Sequence, residues 1–407
     1  MIVVIADDLT GAAEMGGIAW SHGLHVSFSL FNPNEYTPVS ICHSLVKPER
    51  ENQVLVIATD TRSLSVTEAR TTIEAILSRF TSCEKSHILF YKKTDSALRG
   101  HIIAELSTMM QCLQIEKTLL LAQNPSKKRI VSNGEYSING IPLCDTDFRH
   151  DPEFPAKSSQ VEKIVCHNDF NCCYPVYSIP VKQPTLTSGI AIADAATKDD
   201  IIQQLSKTDN HTIIAGGADL FEMLLELQVT SVANTNKAIS DNSNQHDNFS
   251  ELVGNYNQTR KSTIIVCGST QSKPLDIGIP VSQMPEEVFH GKQSPLQWLP
   301  MLTDTYRQTG SIILTIGRKA HGGKEYAVRL RESMAIAVKH LITLHYPQSL
   351  IIEGGATAFS ILNALGWQQF EIENQKAPGV VTLLYHQPTN DVHITLKPGS
   401  YQWGNIF

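Results

Sequence analysis

The feature that most constrains the fold is a unit that recurs in the first half of the chain: a short apolar segment, a polar turn and a helix-like segment. The first unit starts with Ile2–Ala6, an unbroken apolar run rich in β-branched residues, which Asp7 and Asp8 follow directly. Such a run is typical of a strand that is buried on both faces. Alternation of such strands with helices predicts a mostly parallel sheet with right-handed crossovers.

The unit repeats twice more before residue 120. We expect strands at 54–58 and 87–91, and helices over about 66–80 and 98–113, because each apolar run is followed by a polar turn and then by a helical pattern. In the first unit, Thr10 is expected to cap the helix and Gly23 to end it.

Two stretches interrupt the alternation. Residues from about 124 to 184 contain several Asn-Gly, Pro and Asp-Pro turns and predict a loop-rich insertion, whereas residues 241–262 have the Asn- and Ser-rich composition of a linker. Beyond the linker, apolar runs at 263–267, 311–316 and 350–353 each precede a glycine. The sequence therefore predicts an α/β fold of two domains, 1–240 and 263–407, each with a mostly parallel sheet flanked by helices and with the substrate cleft between them.

Composition and charge exclude several classes of protein. The 407 residues contain 33 Lys plus Arg against 40 Asp plus Glu, a net charge of −7, and no long basic run, so nucleic acid is not an expected partner. We find no apolar stretch long enough to span a membrane and no leader-like start, and we expect a cytoplasmic protein. The 8 cysteines are scattered, apart from one adjacent pair, which favours reduced thiols over disulfides or zinc.

Charged residues follow the strands of the first domain. Because ligands bind at the carboxyl ends of parallel strands, the groups expected to meet at one edge are Asp7, Asp8, Asp60, Arg62, Lys92, Lys93 and Asp95, with Arg99 one turn further on. Cations beside carboxylates suit a small hydroxylated acid, because cations bind its carboxylate and ionised Asp accepts hydrogen bonds from its hydroxyls. The alternative interpretation of each residue alone is a helix cap, a turn residue or a surface ion pair.

The second domain offers glycine and hydroxyl residues at its strand ends. Gly268, Ser269 and Thr270 follow one strand, and Gly354, Gly355 and Thr357 follow another. Such turns at helix N-termini present free backbone N–H groups to a phosphate, although glycine after a strand also has purely steric uses. Neither a Walker motif nor a dinucleotide fingerprint is present. One domain for an anionic polyol and one for phosphates together favour phosphoryl transfer, with an Asp accepting the proton of the attacking hydroxyl.

Several blocks of the sequence resemble the four-carbon acid sugar kinase family. In the first domain these are Ala-Asp-Asp-Leu-Thr-Gly-Ala at 6–12, Thr-Asp-Thr-Arg-Ser at 59–63, Lys-Lys-Thr-Asp-Ser-Ala-Leu-Arg-Gly-His at 92–101 and Asp-Pro-Glu-Phe-Pro at 151–155. In the second domain they are Cys-Gly-Ser-Thr at 267–270, Glu-Gly-Gly-Ala-Thr-Ala at 353–358 and Leu-Lys-Pro-Gly-Ser at 396–400. The blocks follow the family's order and span nearly the whole chain.

The resemblance implies a kinase that uses ATP and Mg2+ to phosphorylate the terminal hydroxyl of a threonate, erythronate or 3-oxo-tetronate type acid. It implies that the amino-terminal domain binds the acid and the carboxy-terminal domain the nucleotide. The residues carried over for the acid are Asp7, Asp8, Arg62, Lys93, Asp95 and Arg99. Those carried over for the nucleotide are Ser269, Gly354, Gly355 and Thr357. Either Asp8 or Asp95 would be the catalytic proton acceptor.

Two other functions compete with the kinase. A paralogue that has kept the pocket and lost turnover would be a sugar-acid-binding protein or sensor. A dehydrogenase or lyase acting on similar acids would need a dinucleotide fingerprint or a cluster of metal ligands, and the sequence has neither. The sequence leaves open which acid is used and whether the molecule is a homodimer.

Overall fold

The structure is a computed structural model, and it describes residues 1–32, 53–151, 154–166, 172–236, 262–268, 275–318, 323–388, 390–399 and 403. Two sequence predictions concern other parts of the chain. Ser269, a predicted nucleotide contact, lies outside the described residues, and so does nearly all of the predicted linker. In the part of the chain that is described, no helix is long and apolar enough to cross a membrane.

The chain up to residue 236 supplies most of the strands. They are β1 (Ile2–Ala6), β2 (His25–Leu30), β3 (Gln53–Ala58), β4 (Leu89–Lys93), β5 (Lys117–Leu121), β6 (Arg129–Ser132), β7 (Glu135–Ile138), β8 (Ile141–Pro142), β9 (Val176–Ile179), β10 (Gly189–Ala193) and β11 (Thr212–Gly216). The helices of this part are α1 (Leu9–Ser21), α2 (Val66–Leu77), α3 (Ser82–His87), α4 (Ile102–Leu113), α5 (Val161–Val165), α6 (Lys198–Leu205) and α7 (Ala218–Asn236).

The remainder of the chain alternates in the same way and then ends in a meander. Its strands are β12 (Thr263–Cys267), β13 (Val281–Gln283), β14 (Ser311–Thr315), β15 (Ser349–Glu353), β16 (Gln369–Ala377), β17 (Val380–Tyr385) and β18 (Val392–Lys397). Its helices are α8 (Glu286–Phe289), α9 (Leu299–Thr309), α10 (Lys324–Leu344) and α11 (Gly355–Leu365).

Fifteen of the strands form one large sheet, β6, β7 and β8 form a separate antiparallel sheet of three strands, and the predicted α/β class is confirmed. The strand order is β13-β14-β12-β15-β18-β17-β16-β2-β3-β1-β4-β11-β5-β10-β9. All pairs from β2 to β9 are parallel, as are those from β13 to β18. The two parallel blocks that the sequence assigned to separate sheets are therefore joined edge to edge, through the antiparallel strands β16 and β17.

The burial of the strands explains why they are apolar throughout. In β1 every residue is buried: Val4 and Ala6 face a core that is continuous across both parallel blocks, and Val3 and Ile5 face a second core on the opposite side. Alternate side chains of a strand point to opposite faces, so helices on both faces require an unbroken apolar run. Helices α1, α7, α10 and α11 contribute to the continuous core, and α2 and α4 to the second one.

Helix α1 packs closely on the antiparallel strands that join the two blocks, because two of its residues have no side chain. A Cβ atom at Gly16 would lie 2.8 Å from Cδ1 of Ile372, and one at Gly17 would lie 2.9 Å from Cγ2 of Val381. Real Cβ atoms do not approach so closely, so the two glycines let the helix backbone pack directly onto the antiparallel strands β16 and β17. This contact brings the N-terminus of α1 next to the second parallel block.

Two predicted boundaries are wrong. The strand predicted at 87–91 is β4, which begins and ends two residues later, because residues 82–87 form helix α3 with Thr81 as its cap. The helix expected from residue 98 begins at Ile102, because Leu98 has φ of 61° and Gly100 has φ of 96°, values that a right-handed helix does not accept. The residues from Leu98 to Gly100 instead form a turn that carries Arg99.

Candidate active site

The site is built on the carboxyl end of β1, where an arginine clamps two successive carboxylates. Nε and Nη2 of Arg62 donate to the two oxygens of Asp7, both at 3.0 Å. Nη1 of the same guanidinium lies 3.1 Å from Asp8 and 3.4 Å from Asp95. The strands β1, β3 and β4 are neighbours, so their ends bring these charges together, as the sequence predicted.

Asp8 is also the N-cap residue of helix α1. Its backbone is extended (φ −145°, ψ 160°), and its Oδ1 accepts a hydrogen bond of 2.8 Å from the backbone N–H of Gly11. The expectation that Thr10 caps this helix is therefore wrong, because Thr10 already lies in the first turn and the carboxylate two residues earlier takes the free N–H. The predicted stop is confirmed: Gly23, with φ of 75°, follows the last turn.

A second arginine completes the cluster through the turn after β4. Nε and Nη2 of Arg99 donate to the two oxygens of Asp95, at 2.8 and 2.9 Å, and its Nη1 donates to Asp151 at 2.9 Å. We call Asp7, Asp8, Arg62, Asp95, Arg99 and Asp151 the charged cluster. In it two guanidiniums hold four carboxylates, an arrangement in which each ion is stabilised by charge-assisted hydrogen bonds.

Charge and burial act against each other in the cluster. Burial alone would raise the pKa of Asp95, but the positive charges of Arg62 and Arg99 hold it well below its usual range. Burial raises the pKa of Asp7, and the charge of Arg62 opposes that shift. Arg62 itself is kept charged, because the neighbouring carboxylates raise its pKa more than burial lowers it. The charges of the two arginines therefore favour the ionised form of Asp95.

Lys93, another predicted substrate contact, is the last residue of β4 and is almost fully buried. Its Nζ donates to the backbone oxygen of Thr94 at 2.8 Å and lies 4.0 Å from Glu14. Lys127 approaches the same carboxylate at 2.9 Å. Glu14 was not predicted from the sequence as a site residue, because it lies one turn inside a helix and no motif marks it.

A buried ion pair supports the cluster from below. Nζ of Lys92 lies 3.2 Å from Glu105, and both side chains are essentially inaccessible to solvent. The hydroxyl of Thr61 donates to the other oxygen of Glu105 and is also hydrogen-bonded to Thr59. Thr61 begins the short 3-10 helix that carries Arg62, so this network fixes the height of the arginine above the sheet. Lys92 acts below the site and not on its surface.

The turn before that arginine contains a carboxylate with an unusual environment. Burial raises the pKa of Asp60 to about 6, and its backbone is left-handed, with φ of 53°. We expect Asp60→Asn to stabilise the protein at neutral pH by about 1 kcal/mol, because asparagine tolerates this backbone and carries no charge to bury. The hydroxyl of Ser63 donates to Asp60 at 2.7 Å, and an amide oxygen can accept the same bond.

The sign of the pH dependence follows from the raised pKa. The folded protein binds the Asp60 proton more tightly than the unfolded chain, so its stability falls as pH rises from about 4 to about 6. The asparagine variant lacks this loss, and the gap between the two proteins should open over that window. Thermal unfolding of both proteins across this pH range measures it. Parallel curves for the two proteins would show that Asp60 titrates as it does in the unfolded chain.

Three of the four predicted nucleotide residues are described, and they lie at the N-terminus of α11. Gly354, with φ of 96°, precedes the helix, Gly355 is its first residue and Thr357 is buried in its first turn. Ala358 donates the first intrahelical hydrogen bond, to Gly354, which leaves earlier N–H groups of this turn to face outwards. A helix N-terminus with two glycines admits a phosphate close to the backbone.

We call the carboxyl ends of β1, β3 and β4, with the charged cluster, the acid rim, and the N-terminus of α11 the phosphate rim, after the ligands predicted for them. The two rims meet at one contact. A Cβ atom at position 355 would collide with Oγ1 of Thr10 and would lie 3.3 Å from its Cβ. Thr10 is two residues from Asp8, so the N-termini of α1 and α11 lie side by side. Three antiparallel pairs lie between β1 and β15, so within the order of the sheet these two strands run in opposite directions. The six successive strand pairs between them also twist the sheet by roughly 120°, which turns their carboxyl ends back towards the same side and allows the contact.

A second buried ion pair lies beneath the N-terminus of α11. Nζ of Lys397 lies 2.7 Å from Glu353, at the ends of the neighbouring strands β18 and β15, and the ammonium also lies over the ring of Trp403, 4.7 Å from its centre. The backbone oxygen of Lys397 accepts from Gly354 at 2.8 Å. This pair therefore anchors the turn that precedes α11.

Metal ligands are not clustered in the described part of the chain. Among residues 1–32, 53–151, 154–166, 172–236 and the later described ranges, no group of three or more His, Cys, Asp or Glu side chains is arranged to hold a metal ion.

Comparison with protein families gives a match over more than half of the chain. The family described as the sugar-binding N-terminal domain matches residues 2–224. These residues include the whole of the charged cluster.

Curated relatives extend the similarity to the rest of the chain. The chain is 25% identical to the D-threonate kinase of Salmonella typhimurium over an alignment of 433 positions, gaps included, which covers 98% of this chain and 95% of that protein. It is 21% identical to a 3-oxo-tetronate kinase of Pectobacterium atrosepticum, with 98% and 95% coverage. The D-erythronate kinase of Heliobacterium modesticaldum is 30% identical over 167 residues, 40% of this chain and 35% of that protein.

Solved structures share the fold at lower identity. A Salmonella typhimurium LT2 protein, described as a candidate tRNA synthase, has a TM-score of 0.70 at 17% identity, covering 98% of this chain and 96% of that one. A Haemophilus influenzae protein has a TM-score of 0.62 at 17% identity, covering 98% and 97%. At this identity the likeness shows the fold alone.

Proposed function

The chain belongs to the family described as the sugar-binding N-terminal domain, and on this premise we propose its reaction. Its motifs predicted a four-carbon acid sugar kinase, and its relatives are named as sugar-acid kinases. The protein is an ATP-dependent kinase that phosphorylates the terminal hydroxyl of a four-carbon sugar acid of the threonate, erythronate or 3-oxo-tetronate type. The contact between Gly355 and Thr10 carries this proposal. It makes the phosphate rim and the acid rim two sides of one cleft, as phosphoryl transfer requires.

The charged cluster supplies the acid side of the cleft. Hydroxyl groups of the substrate donate to the carboxylates of Asp7, Asp8 and Asp95, which Arg62 and Arg99 hold in place. Lys93 places a further positive charge at the end of β4, beside these carboxylates. The division into an acid-binding part at 1–240 and a nucleotide-binding part at 263–407 belongs to this proposal.

The phosphate side is the N-terminus of α11, with Gly354, Gly355 and Thr357, together with Ser269. Mg2+ would be held mainly by the phosphates, as is usual for this ion, with one carboxylate from the protein. Glu14, the acidic residue within α1, is paired with Lys93 and Lys127, so an ion bound there would have to displace these ammonium groups. The ion would supply neutralisation of phosphate charge.

Asp8 is the proton acceptor that the geometry favours over Asp95. Its side chain is 26% exposed, against 9% for Asp95, and it lies beside the contact with the phosphate rim. The hydroxyl oxygen forms a bond to the γ-phosphorus as its proton passes to Asp8, and the bond from that phosphorus to ADP breaks. Asp95, whose pKa the two arginines hold low, is a poor proton acceptor and a good anchor for the arginines.

A coupled assay of ADP release over the four-carbon acids, with longer aldonic acids as controls, tests the proposal. We expect turnover with at least one four-carbon acid, loss of turnover after chelation of Mg2+, and a product whose phosphorus-coupled proton NMR places phosphate on the primary carbon. Absence of ADP release with every four-carbon acid would contradict the kinase proposal. The alternative, a binding protein without turnover, would then be supported if the acids raised the midpoint of thermal unfolding and ATP did not. The kinase names of the relatives do not favour that alternative.

A further inference from the structure

The cations of the charged cluster are already occupied by protein carboxylates. Arg62 contacts Asp7, Asp8 and Asp95, and Arg99 contacts Asp95 and Asp151. Each guanidinium therefore faces more negative than positive charge. A substrate carboxylate placed directly on either arginine would meet these anions as well, which is electrostatically unfavourable.

Arg129 is a neighbouring cation in a different situation. It begins β6 in the insertion, and its Nη1 donates to the neutral hydroxyl of Ser96, the residue after Asp95. Within the described residues no carboxylate lies at ion-pair distance from Arg129. Its guanidinium is partly buried, so the charge lacks both a full hydration shell and an anionic partner.

The position of Arg129 is fixed on two sides. Its guanidinium lies 5.7 Å from the centre of the Phe148 ring, and Arg99 lies 5.3 Å from the centre of the same ring. The hydroxyl of Tyr136 donates to the backbone oxygen of Ser96 and holds the turn to which Arg129 is bonded. Two guanidiniums on one aromatic ring repel each other, and Asp95 and Asp151 compensate only Arg99. An anion beside Arg129 would balance this arrangement.

We propose that Arg129 binds the carboxylate of the sugar acid and thereby selects acids over neutral polyols. This inference rests on the proposed function and names the group that recognises the end of the substrate opposite the reacting hydroxyl. Asp8 takes the terminal hydroxyl at the phosphate rim, and Arg129, at the start of β6 in the insertion, takes the carboxylate at the other end of the substrate. The specificity of the site then comes from the insertion, while the chemistry comes from the ends of β1 and β4.

Calorimetric binding tests the assignment without requiring turnover. The ligands are D-threonate, D-erythronate, their neutral amides and ATP, and the proteins are wild type, Arg129→Gln, Arg129→Lys and Arg149→Gln. We expect Arg129→Gln to weaken binding of the acid by about tenfold to 100-fold, the value of a charged hydrogen bond, and to leave the affinities for amide and ATP within about twofold. Arg129→Lys should lie between, because it keeps the charge and loses the planar fork.

Arg149→Gln is the matched control, because it removes the same charge from an exposed position of the insertion and should bind the acid as wild type does. Retention of the preference for acid over amide in Arg129→Gln would overturn the proposal. So would a selective loss of ATP affinity, which would assign Arg129 to phosphate instead. Wild-type protein that binds an acid without ADP release would refute the kinase proposal alone, whereas failure to bind any of the acids would refute both. If Arg129→Gln does not fold, Arg129→Lys decides: a reduced preference for acid over amide supports the proposal, and an unchanged preference overturns it.

Discussion

Asp8→Asn is expected to lower kcat by about 100-fold or more and to leave the midpoint of thermal unfolding nearly unchanged. Asparagine caps helices as well as aspartate does, so the bond from Gly11 to the side-chain oxygen can persist. Arg62 keeps its contacts with Asp7 and Asp95. What the amide cannot do is accept the proton of the attacking hydroxyl. Steady-state kinetics with saturating ATP and acid, together with calorimetric unfolding, measure both expectations.

Asp95→Asn is the matched comparison. Asp95 holds two arginines and has a depressed pKa, so its loss should raise KM for the acid and lower the unfolding midpoint, since two partly buried cations lose an anionic partner. The separate variant Asp95→Glu keeps the charge and should therefore be more stable than Asp95→Asn. If instead Asp8→Asn turned over at nearly the wild-type rate while Asp95→Asn folded normally and was inactive, Asp95 would be the base and the assignment made here would be wrong.

The parts of the site that the sequence predicted are those set by a single strand and the turn after it. Asp7, Arg62 and Asp95 follow buried apolar runs, and parallel strands in one sheet bring their carboxyl ends together whatever the details of the loops. The same regularity placed Gly354 and Gly355 at the start of a helix. These predictions needed only the alternation of buried strands and helices, which the burial of β1, β3 and β15 explains.

What the sequence did not predict depends on contacts between distant segments. Asp151 pairs with Arg99 across 52 positions, and the pairing follows from the path of the insertion and not from any local pattern. Arg129 is a similar case. The joining of the two parallel blocks was not predicted, because β2 was not assigned as a strand even though its sequence, His-Val-Ser-Phe-Ser-Leu, alternates polar and apolar residues. Its antiparallel partner β16 supplies the missing edge only in three dimensions.

Gly355→Ala is expected to weaken ATP binding by roughly 30-fold or more, corresponding to about 2 kcal/mol of overpacking, and to leave acid binding unchanged. The backbone at position 355 is not left-handed, so alanine is conformationally acceptable there. The cost arises because the methyl group collides with Oγ1 of Thr10 and pushes the two rims apart.

The double variant Gly355→Ala/Thr10→Ala separates that collision from direct exclusion of phosphate. Removing Oγ1 leaves the Thr10 Cβ at 3.3 Å from the new methyl group, a contact that a shift of a few tenths of an ångström relieves. Calorimetry should therefore show that the second substitution restores most of the ATP affinity, whereas Thr10→Ala alone changes it little. A double variant as weak as Gly355→Ala would mean that the methyl group blocks the phosphate itself. Equal losses for ATP and acid would contradict the assignment of one ligand to each rim, because α11 would then serve both.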